Sequence, residues 1–206
     1  MNFDVTIIDY KQGNIGSIVN MVNKVGFSCN VAETAAEIQH AKRLILPGVG
    51  SFDAGISKLS DFVFFDVLLE NIVYKKIPIL GICLGMQLLF ESSEEGSIKG
   101  LSLIEGSCMK FKFSKNSSFK VPHMGWREIT IKKDNLLFKG LDNEARFYFA
   151  HSFFCLAEDN SVVTATANYG LDFHAAIESE NFYGVQFHPE KSHKFGMQVF
   201  RNFLNV

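Results

Sequence analysis

The first half of the chain alternates short apolar runs with segments whose apolar residues recur at helical spacing. The runs predict strands over Val5–Ile8, Cys29–Ala32, Arg43–Pro47 and Pro78–Ile82, and the spacing predicts helices over Ile15–Val22, Thr34–Ala41 and Phe62–Tyr74. Repeated strand–helix units of this kind form a mostly parallel sheet with helices on both faces, and ligands bind beyond the carboxyl ends of its strands. We therefore expect an open α/β fold.

The second half carries a different pattern. Short strand candidates separated by turns occupy Met109–Phe113, Glu128–Ile131, Arg146–Ala150, Val162–Ala167, Ala175–Ile177 and Phe182–Phe187, and a helical pattern follows over His193–Phe203. We expect these strands to be antiparallel additions to the parallel core. No linker rich in Pro, Gly or Ser interrupts the chain, so a single domain over residues 1–206 is predicted.

Charge and composition narrow the range of partners. The 20 basic and 22 acidic residues include no block of like charge, so no footprint for nucleic acid or an anionic membrane is expected. The four cysteines contain no C-x-x-C pair, which excludes the usual zinc motifs and a dense disulfide framework. No dinucleotide fingerprint or phosphate loop is present, so no cofactor is predicted. Without a signal-peptide pattern or a long apolar run, a cytoplasmic protein is expected.

One cysteine has a distinctive setting. In Gly81-Ile82-Cys83-Leu84-Gly85 it lies between two glycines, where a buried apolar run passes into a helical pattern. This is the sequence form of a nucleophile elbow, in which the central side chain stands exposed at the end of a strand. The first N–H groups of the following helix would favour a thiolate. We therefore predict Cys83 to be a nucleophile, with a cysteine that merely packs as the alternative.

A cysteine nucleophile needs a base, and the base needs an orienting group. Of the six histidines, His188 follows a predicted strand and lies in His188-Pro189-Glu190. In extended backbone, residues two apart project to the same side, so Glu190 could accept a hydrogen bond from the imidazole. The sequence predicts a triad of Cys83, His188 and Glu190. A strand-end histidine beside a solvated glutamate is the alternative.

Together these motifs resemble the class I (triad-type) glutamine amidotransferases, in the segments Gly81–Gln87 and Gln186–Glu190. Further segments are similar to the glutaminase subunits of imidazole glycerol phosphate synthase within that family: Leu46–Gly50, Val121–Trp126, Phe149–Ser152 and His188–Ser192. The resemblance covers nearly the whole chain. It implies a flavodoxin-like fold, in agreement with the sheet expected from the apolar pattern.

The resemblance implies hydrolysis of the side-chain amide of L-glutamine to glutamate and ammonia. Cys83 would attack the amide carbon, His188 would protonate the leaving ammonia and then activate water, and Glu190 would hold His188. It further implies an oxyanion hole formed by backbone N–H groups of Leu84 and of the loop at Val49 and Gly50, and contacts to the amino-acid end of the substrate from Gln87, Glu95 and His151. Without the resemblance, Gln87 and Glu95 would be solvated helix and loop residues, and His151 a core histidine.

Ammonia released into water would be protonated and lost as a nucleophile, so the chemistry implies a docked acceptor protein. The resemblance implies a (β/α)₈-barrel cyclase in a heterodimer, which makes imidazole glycerol phosphate and aminoimidazole carboxamide ribotide in histidine biosynthesis. The docking face expected from the family pattern contains Asn14, His123, Met124, Trp126, Arg127 and Lys191. No metal is implied.

Two positions depart from the family pattern. Arg127 stands where the family has Asn, and the turn Tyr10-Lys11-Gln12-Gly13-Asn14 stands where Tyr-Gly-Met-Gly-Asn is familiar. Both lie on the expected docking side, which leaves open a paralogous glutaminase that feeds a sugar amidotransferase in surface polysaccharide synthesis. Two other classes also stay open: a non-catalytic regulatory relative, and a cysteine hydrolase of esters or peptides.

Overall fold

A computed structural model describes residues 3–132, 135–142 and 144–206 of the chain. In its first half, strands and helices alternate. They are β1 (Val5–Ile7), α1 (Ile15–Lys24), β2 (Cys29–Val31), α2 (Ala35–Gln39), β3 (Leu44–Gly48), α3 (Phe52–Ser60), α4 (Phe65–Leu69), a π-helical turn (Glu70–Tyr74), β4 (Ile79–Cys83) and α5 (Leu84–Leu88).

Short strands dominate the second half. They are β5 (Phe90–Ser93), β6 (Ile104–Lys110), β7 (His123–Glu128), β8 (Thr130–Ile131), β9 (Arg146–His151), β10 (Phe153–Ala157), β11 (Val163–Asn168), β12 (Asp172–Ser179) and β13 (Phe182–Val185). Two 3₁₀ turns (Asn160–Val162 and Pro189–Lys191) and a last helix, α6 (His193–Leu204), complete the described elements.

The main sheet has the strand order β2-β1-β3-β4-β13-β12-β11-β8. The pairs from β2 to β13 are parallel and those from β13 to β8 are antiparallel. This confirms the predicted open, mostly parallel sheet with antiparallel additions. Because β4 and β13 are parallel neighbours, with Ile82 opposite Val185, the residues that follow the two strands emerge at the same edge of the sheet.

Helices cover both faces of this sheet, as the apolar pattern predicts. Along β3, Leu44 and Leu46 belong to one buried cluster while Ile45 belongs to the other, which is the alternation of a strand buried on both sides. Helices α1 and α6 pack on one face, and α2 to α5 pack on the other. Among the described residues, no helix has both the length and the apolar character needed to cross a membrane.

Several elements differ from the sequence prediction. The helix α3 was not predicted, although Phe52, Ile56 and Leu59 are buried at helical spacing. The strand predicted over Met109–Phe113 runs over Ile104–Lys110, because β6 pairs with β10 on one side and β5 on the other. These three strands form a separate sheet, and β7 and β9 form a two-stranded ribbon, so only part of the second half extends the main sheet.

Candidate active site

The elbow lies at the junction of β4 and α5. Cys83 is the last residue of β4 and has φ +55° and ψ −111°, in the region that L-residues rarely adopt. A Cβ on Gly81 would lie 2.7 Å from the carbonyl oxygen of Gly85, and a Cβ on Gly85 would collide with the carbonyl oxygen of Leu46. The two glycines are therefore required by close backbone approach, which lets the chain turn sharply enough to present the thiol.

His188 follows β13 at the neighbouring strand end. Its N–H donates to the carbonyl of Tyr148 (2.8 Å), and its carbonyl accepts from the Ser192 hydroxyl (2.6 Å). The imidazole Nδ1 lies 2.8 Å from Glu190 Oε1. Glu190 reaches it from the 3₁₀ turn over Pro189–Lys191, so the predicted extended backbone between the two residues is wrong although the predicted hydrogen bond is present.

The charge of His188 depends on its two partners. Burial alone would lower its pKa, but hydrogen bonds with Cys83 and Glu190, and the negative charges of both, outweigh burial and raise the pKa to about 10. Because Nδ1 is engaged with Glu190, Nε2 is the atom left to exchange a proton with the sulfur. The structure thus brings the three predicted triad residues together, in the order of nucleophile, base and orienting carboxylate.

Cys83 and His188 line a cavity of about 330 Å³, and Glu190, which is not part of the lining, contacts His188. Its polar lining residues are Cys83, Gln87, Glu95, His151, Ser152, His188 and Lys191. A concave site of this size with a few convergent polar groups suits a small polar molecule. Among the described residues, no group of three or more His, Cys, Asp or Glu side chains could hold a metal ion.

The three predicted substrate contacts all line this cavity, but each also has a protein partner. Glu95 Oε2 accepts from the N–H of Phe52 (2.8 Å), which fixes the carboxylate at the cavity wall. Gln87 Nε2 donates to the Phe153 carbonyl and to Gln186 Oε1, both at 3.0 Å. Gln87 therefore has both amide hydrogens engaged within the protein.

The predicted oxyanion donors fall into two groups. The N–H of Leu84 lies at the first position of α5, where helical N–H groups have no partner within the helix. The N–H of Val49 instead donates to the backbone carbonyl of Gln12 (2.7 Å), so in this conformation it does not serve the cavity. Gly50 lines the cavity and has φ +112°. A contribution from the Val49 peptide would require that hydrogen bond to break and the peptide to turn.

His151 belongs to a buried pair of imidazoles. Its Nδ1 lies 2.8 Å from the Phe153 carbonyl, which can only accept, so Nδ1 carries the proton and Nε2 accepts. His123 Nδ1 lies 3.1 Å from that Nε2 and is therefore the donor. The His123 ring stacks on the ring of Tyr169 (centroids 4.0 Å apart), and the Arg127 guanidinium lies 5.2 Å from the centroid of that same Tyr169 ring.

Burial lowers the pKa of both members of this pair. For His123 burial and the charge of Arg127 lower the pKa to about 4. For His151 burial is again the largest cause; the Phe153 carbonyl opposes it, but the charges of His123 and His188 add to it, and the pKa falls to about 3. Both rings are neutral at physiological pH.

The placement of His123 corrects its predicted role in docking. His123 is 0% exposed, so its side chain does not face a partner. It alternates along β7 with Met124 and Trp126, which are 63% and 38% exposed on the opposite face of the ribbon. Arg127 is also exposed, at the end of the ribbon. Because successive side chains of a strand point to opposite faces, the sequence itself indicated that His123 would point away from Met124 and Trp126.

The other two residues of the predicted docking face are exposed as well. Asn14 precedes α1, and Lys191 lines the cavity with its Nζ 5.8 Å from the Tyr148 ring. Trp126 stacks on His193 with centroids 5.5 Å apart and parallel planes (2°). Trp126 therefore has an ordered ring that is still partly open to solvent.

Sequence reasoning assigned no role to two residues of the site. Ser152 lines the cavity beside His151. Gln186 Nε2 lies 3.7 Å from Cys83 Sγ. The signal for Gln186 was its spacing, since it precedes His188 by two positions and so projects to the same side of the chain.

A model of the family described as "Glutamine amidotransferase class-I" matches residues 6–206. The chain belongs to this family. The amidotransferase chain is 48% identical over 200 residues to "Imidazole glycerol phosphate synthase subunit HisH 2" of Methanococcus maripaludis, covering 97% of this chain and 98% of that protein. It is 45% identical over 203 residues to "Imidazole glycerol phosphate synthase subunit HisH" of Leptospira borgpetersenii, covering 98% and 100%.

A solved structure shares the fold of this chain. The structure of PurLQS from Thermotoga maritima includes a chain that superposes with a TM-score of 0.72 at 18% identity, over 100% of this chain and 99% of that one. At this identity the likeness concerns the fold alone.

Proposed function

We propose that this chain hydrolyses L-glutamine to glutamate and ammonia and passes the ammonia to a cyclase subunit, as the glutaminase subunit of an imidazole glycerol phosphate synthase. The observation that supports this most directly is the cavity lined by Cys83 and His188, with Glu190 hydrogen-bonded to His188, in a chain 48% identical to a protein of that name. This favours an active enzyme over a non-catalytic relative.

The chemistry proceeds through a thioester. The Cys83 thiolate attacks the amide carbon, and the carbonyl oxygen becomes an oxyanion that accepts from the N–H of Leu84. His188 gives its Nε2 proton to the leaving nitrogen, and the C–N bond breaks to release ammonia. His188 then removes a proton from water, the hydroxide attacks the thioester, and glutamate leaves as the sulfur regains its proton. Glu190 holds the imidazole throughout.

We place the cyclase, a (β/α)₈ barrel, against the outer face of the β7–β9 ribbon. Met124 and Trp126 form an exposed apolar patch there, and Lys191 provides a cation at the cavity rim. Aromatic and methionine side chains are enriched in interface cores, which supports this choice. Asn14 and Arg127 are the remaining exposed residues of the proposed interface, and Arg127 contributes from the end of the ribbon because it alternates with Trp126 along β7. Delivery across this interface keeps ammonia unprotonated.

The test is a glutaminase assay on the purified protein with and without the purified cyclase subunit of an imidazole glycerol phosphate synthase. We expect glutamine-dependent release of glutamate that rises when the partner is added, and no release from Cys83→Ser. Hydrolysis of esters or peptides with no glutamine hydrolysis would contradict the proposal. Ammonia transfer to a sugar acceptor, but none to the cyclase substrate, would point to the paralogous glutaminase instead.

A further inference from the structure

Gln186 lies between the predicted base and the elbow, and no step of the proposed chemistry uses it. It is 0% exposed, and its backbone N–H donates to the Ala175 carbonyl (2.9 Å), which fixes where the side chain starts. Its side-chain Nε2 lies 3.7 Å from Cys83 Sγ, a hydrogen-bond distance for the large sulfur atom. A buried amide beside a nucleophile is costly unless its polar atoms are paired.

The orientation of this amide follows from an atom that can only accept. The Phe153 carbonyl lies 3.0 Å from one end of the Gln87 amide, so that end must be the nitrogen. The same nitrogen lies 3.0 Å from the Gln186 amide, so the near end of Gln186 must be its oxygen. The nitrogen of Gln186 is therefore the end that faces Cys83.

Two groups thus reach the sulfur with opposite roles. His188 presents Nε2, which can accept a proton because Nδ1 is engaged with Glu190. Gln186 presents an N–H, which can only donate. A thiol hydrogen cannot point at an N–H, so the hydrogen of Cys83 points at His188. Once this proton has moved to His188, the sulfur anion still accepts a hydrogen bond from the side-chain N–H of Gln186.

We propose that Gln186 is a positioning residue that donates a hydrogen bond to the Cys83 sulfur, directs the thiol proton to His188 and stabilises the anion, with Gln87 fixing the amide. The effect on turnover rests on the proposed glutaminase function. The hydrogen bond itself acts on the thiol whatever the substrate is. Gln87 still lines the cavity, and only its side-chain nitrogen is engaged with Phe153 and Gln186, so this supporting role is compatible with the substrate contact that the resemblance implies.

The test is the pH profile of alkylation of Cys83 by iodoacetamide, measured by mass spectrometry on the peptide that carries it. Gln186→Met keeps the length of the side chain and removes the donor. We expect the midpoint of the profile to move to higher pH by about one unit, the size typical of a hydrogen bond to a charged group. Glutamine turnover near neutral pH should fall with it, mainly in kcat.

The peptide that carries Cys29, measured in the same experiment, is an internal standard. Cys29 lies in β2, three strands away from β4, and its half-buried thiol reacts independently of the site. Its profile should be the same in the wild type and in Gln186→Met. A parallel change at Cys29 would indicate general loosening of the fold and would overturn the assignment of a local role.

A second variant covers the case in which Gln186→Met does not fold. Gln87→Met leaves Gln186 in place but removes the N–H that orients it, so we expect a smaller move in the same direction. If the Cys83 profile of either folded variant overlays that of the wild type, the proposal is wrong. A wild type that lacks glutaminase activity but shows these shifts would contradict only the proposed function.

Discussion

Two sets of buried imidazoles have opposite charge preferences, and one member of each set, His188 and His151, lines the same cavity. His188 has its pKa raised to about 10, whereas His123 and His151 have theirs lowered to about 4 and about 3. All three are at most 6% exposed, so burial does not distinguish them. The partners do: His188 faces a carboxylate and a thiol, and the other two face a carbonyl, each other and the charge of Arg127.

The comparison separates a proton-transferring group from a structural one. A carboxylate partner stabilises the imidazolium form, so the ring can take up a proton and return it. A carbonyl partner fixes one tautomer of a neutral ring and holds it in place. Placement beside the cavity is therefore not sufficient to make a histidine part of the chemistry.

The largest expected effect comes from removing the carboxylate. Glu190→Gln keeps the shape but takes away the charge, and the amide can present an N–H to Nδ1 and enforce the wrong tautomer. We expect turnover to fall on the order of 10³-fold or more, with little change in KM. Steady-state kinetics with glutamine and the partner protein would check this. A loss under tenfold would contradict the assigned role of Glu190.

Breaking the neutral pair should affect stability more than chemistry. His151→Phe leaves the His123 Nδ1–H buried without its acceptor, at a cost of roughly 1–3 kcal/mol. Urea denaturation at pH 7 measures this. His40→Phe, at an exposed imidazole, is the matched control and should stay within about 0.5 kcal/mol of the wild type. Equal effects of the two substitutions would show that the pair contributes no special stability.

The two sets should also give opposite pH dependences of stability. In the unfolded chain, histidine titrates near pKa 6.5. His123 and His151 bind protons more weakly when folded, so their contribution is present above about pH 6.5 and is lost as pH falls toward 4 and 3. The raised pKa of His188 gives a contribution that is present below 6.5 and is lost as pH rises through about 10.

Unfolding free energies measured between pH 7 and pH 4.5 test the acidic half of this expectation. The wild type should lose more stability over this interval than His151→Phe, since the variant has one such histidine fewer. Both proteins contain the same carboxylates, so the carboxylate contribution to the pH dependence of stability cancels when the two slopes are subtracted. Parallel slopes would show that the pair does not titrate as assigned.

The smallest expected effect concerns Arg127, which stands where the family pattern has Asn. Burial is the largest cause of the lowered pKa of His123 and the Arg127 charge is the second, so Arg127→Asn should raise this pKa, by well under about one unit because the guanidinium is exposed. NMR titration of the histidine ring protons measures it. Arg201→Asn, on the exposed side of α6, should leave that titration unchanged. A downward shift in Arg127→Asn would reverse the assigned sign.

Local patterns predicted the parts of the site that depend on neighbours in sequence. The elbow at Cys83 and the His188–Glu190 contact both follow from spacings of two to four positions. The helix α3 was missed because Gly50 and Ser51 dominated the interpretation of that segment as a loop, although the helical spacing of Phe52 and its successors was present. Periodicity alone does not decide where a loop ends.

Long-range pairing could not be predicted in the same way. Gln87 and Gln186 are 99 positions apart, and they meet only because β13 lies beside β4 in the sheet. The burial of His123 likewise depends on the pairing of β7 with β9. The Val49 N–H was assigned to the oxyanion, but its hydrogen bond to Gln12 is made between two loops whose approach no local pattern encodes.

The backbone of Cys83 has a consequence for how this position tolerates change. Its φ of +55° and ψ of −111° suit glycine better than any residue with a side chain. A Cys83→Gly chain would relieve about 1–2 kcal/mol of local distortion, yet it would have no sulfur with which to react. At this one residue, selection for a durable fold and selection for chemistry act against each other.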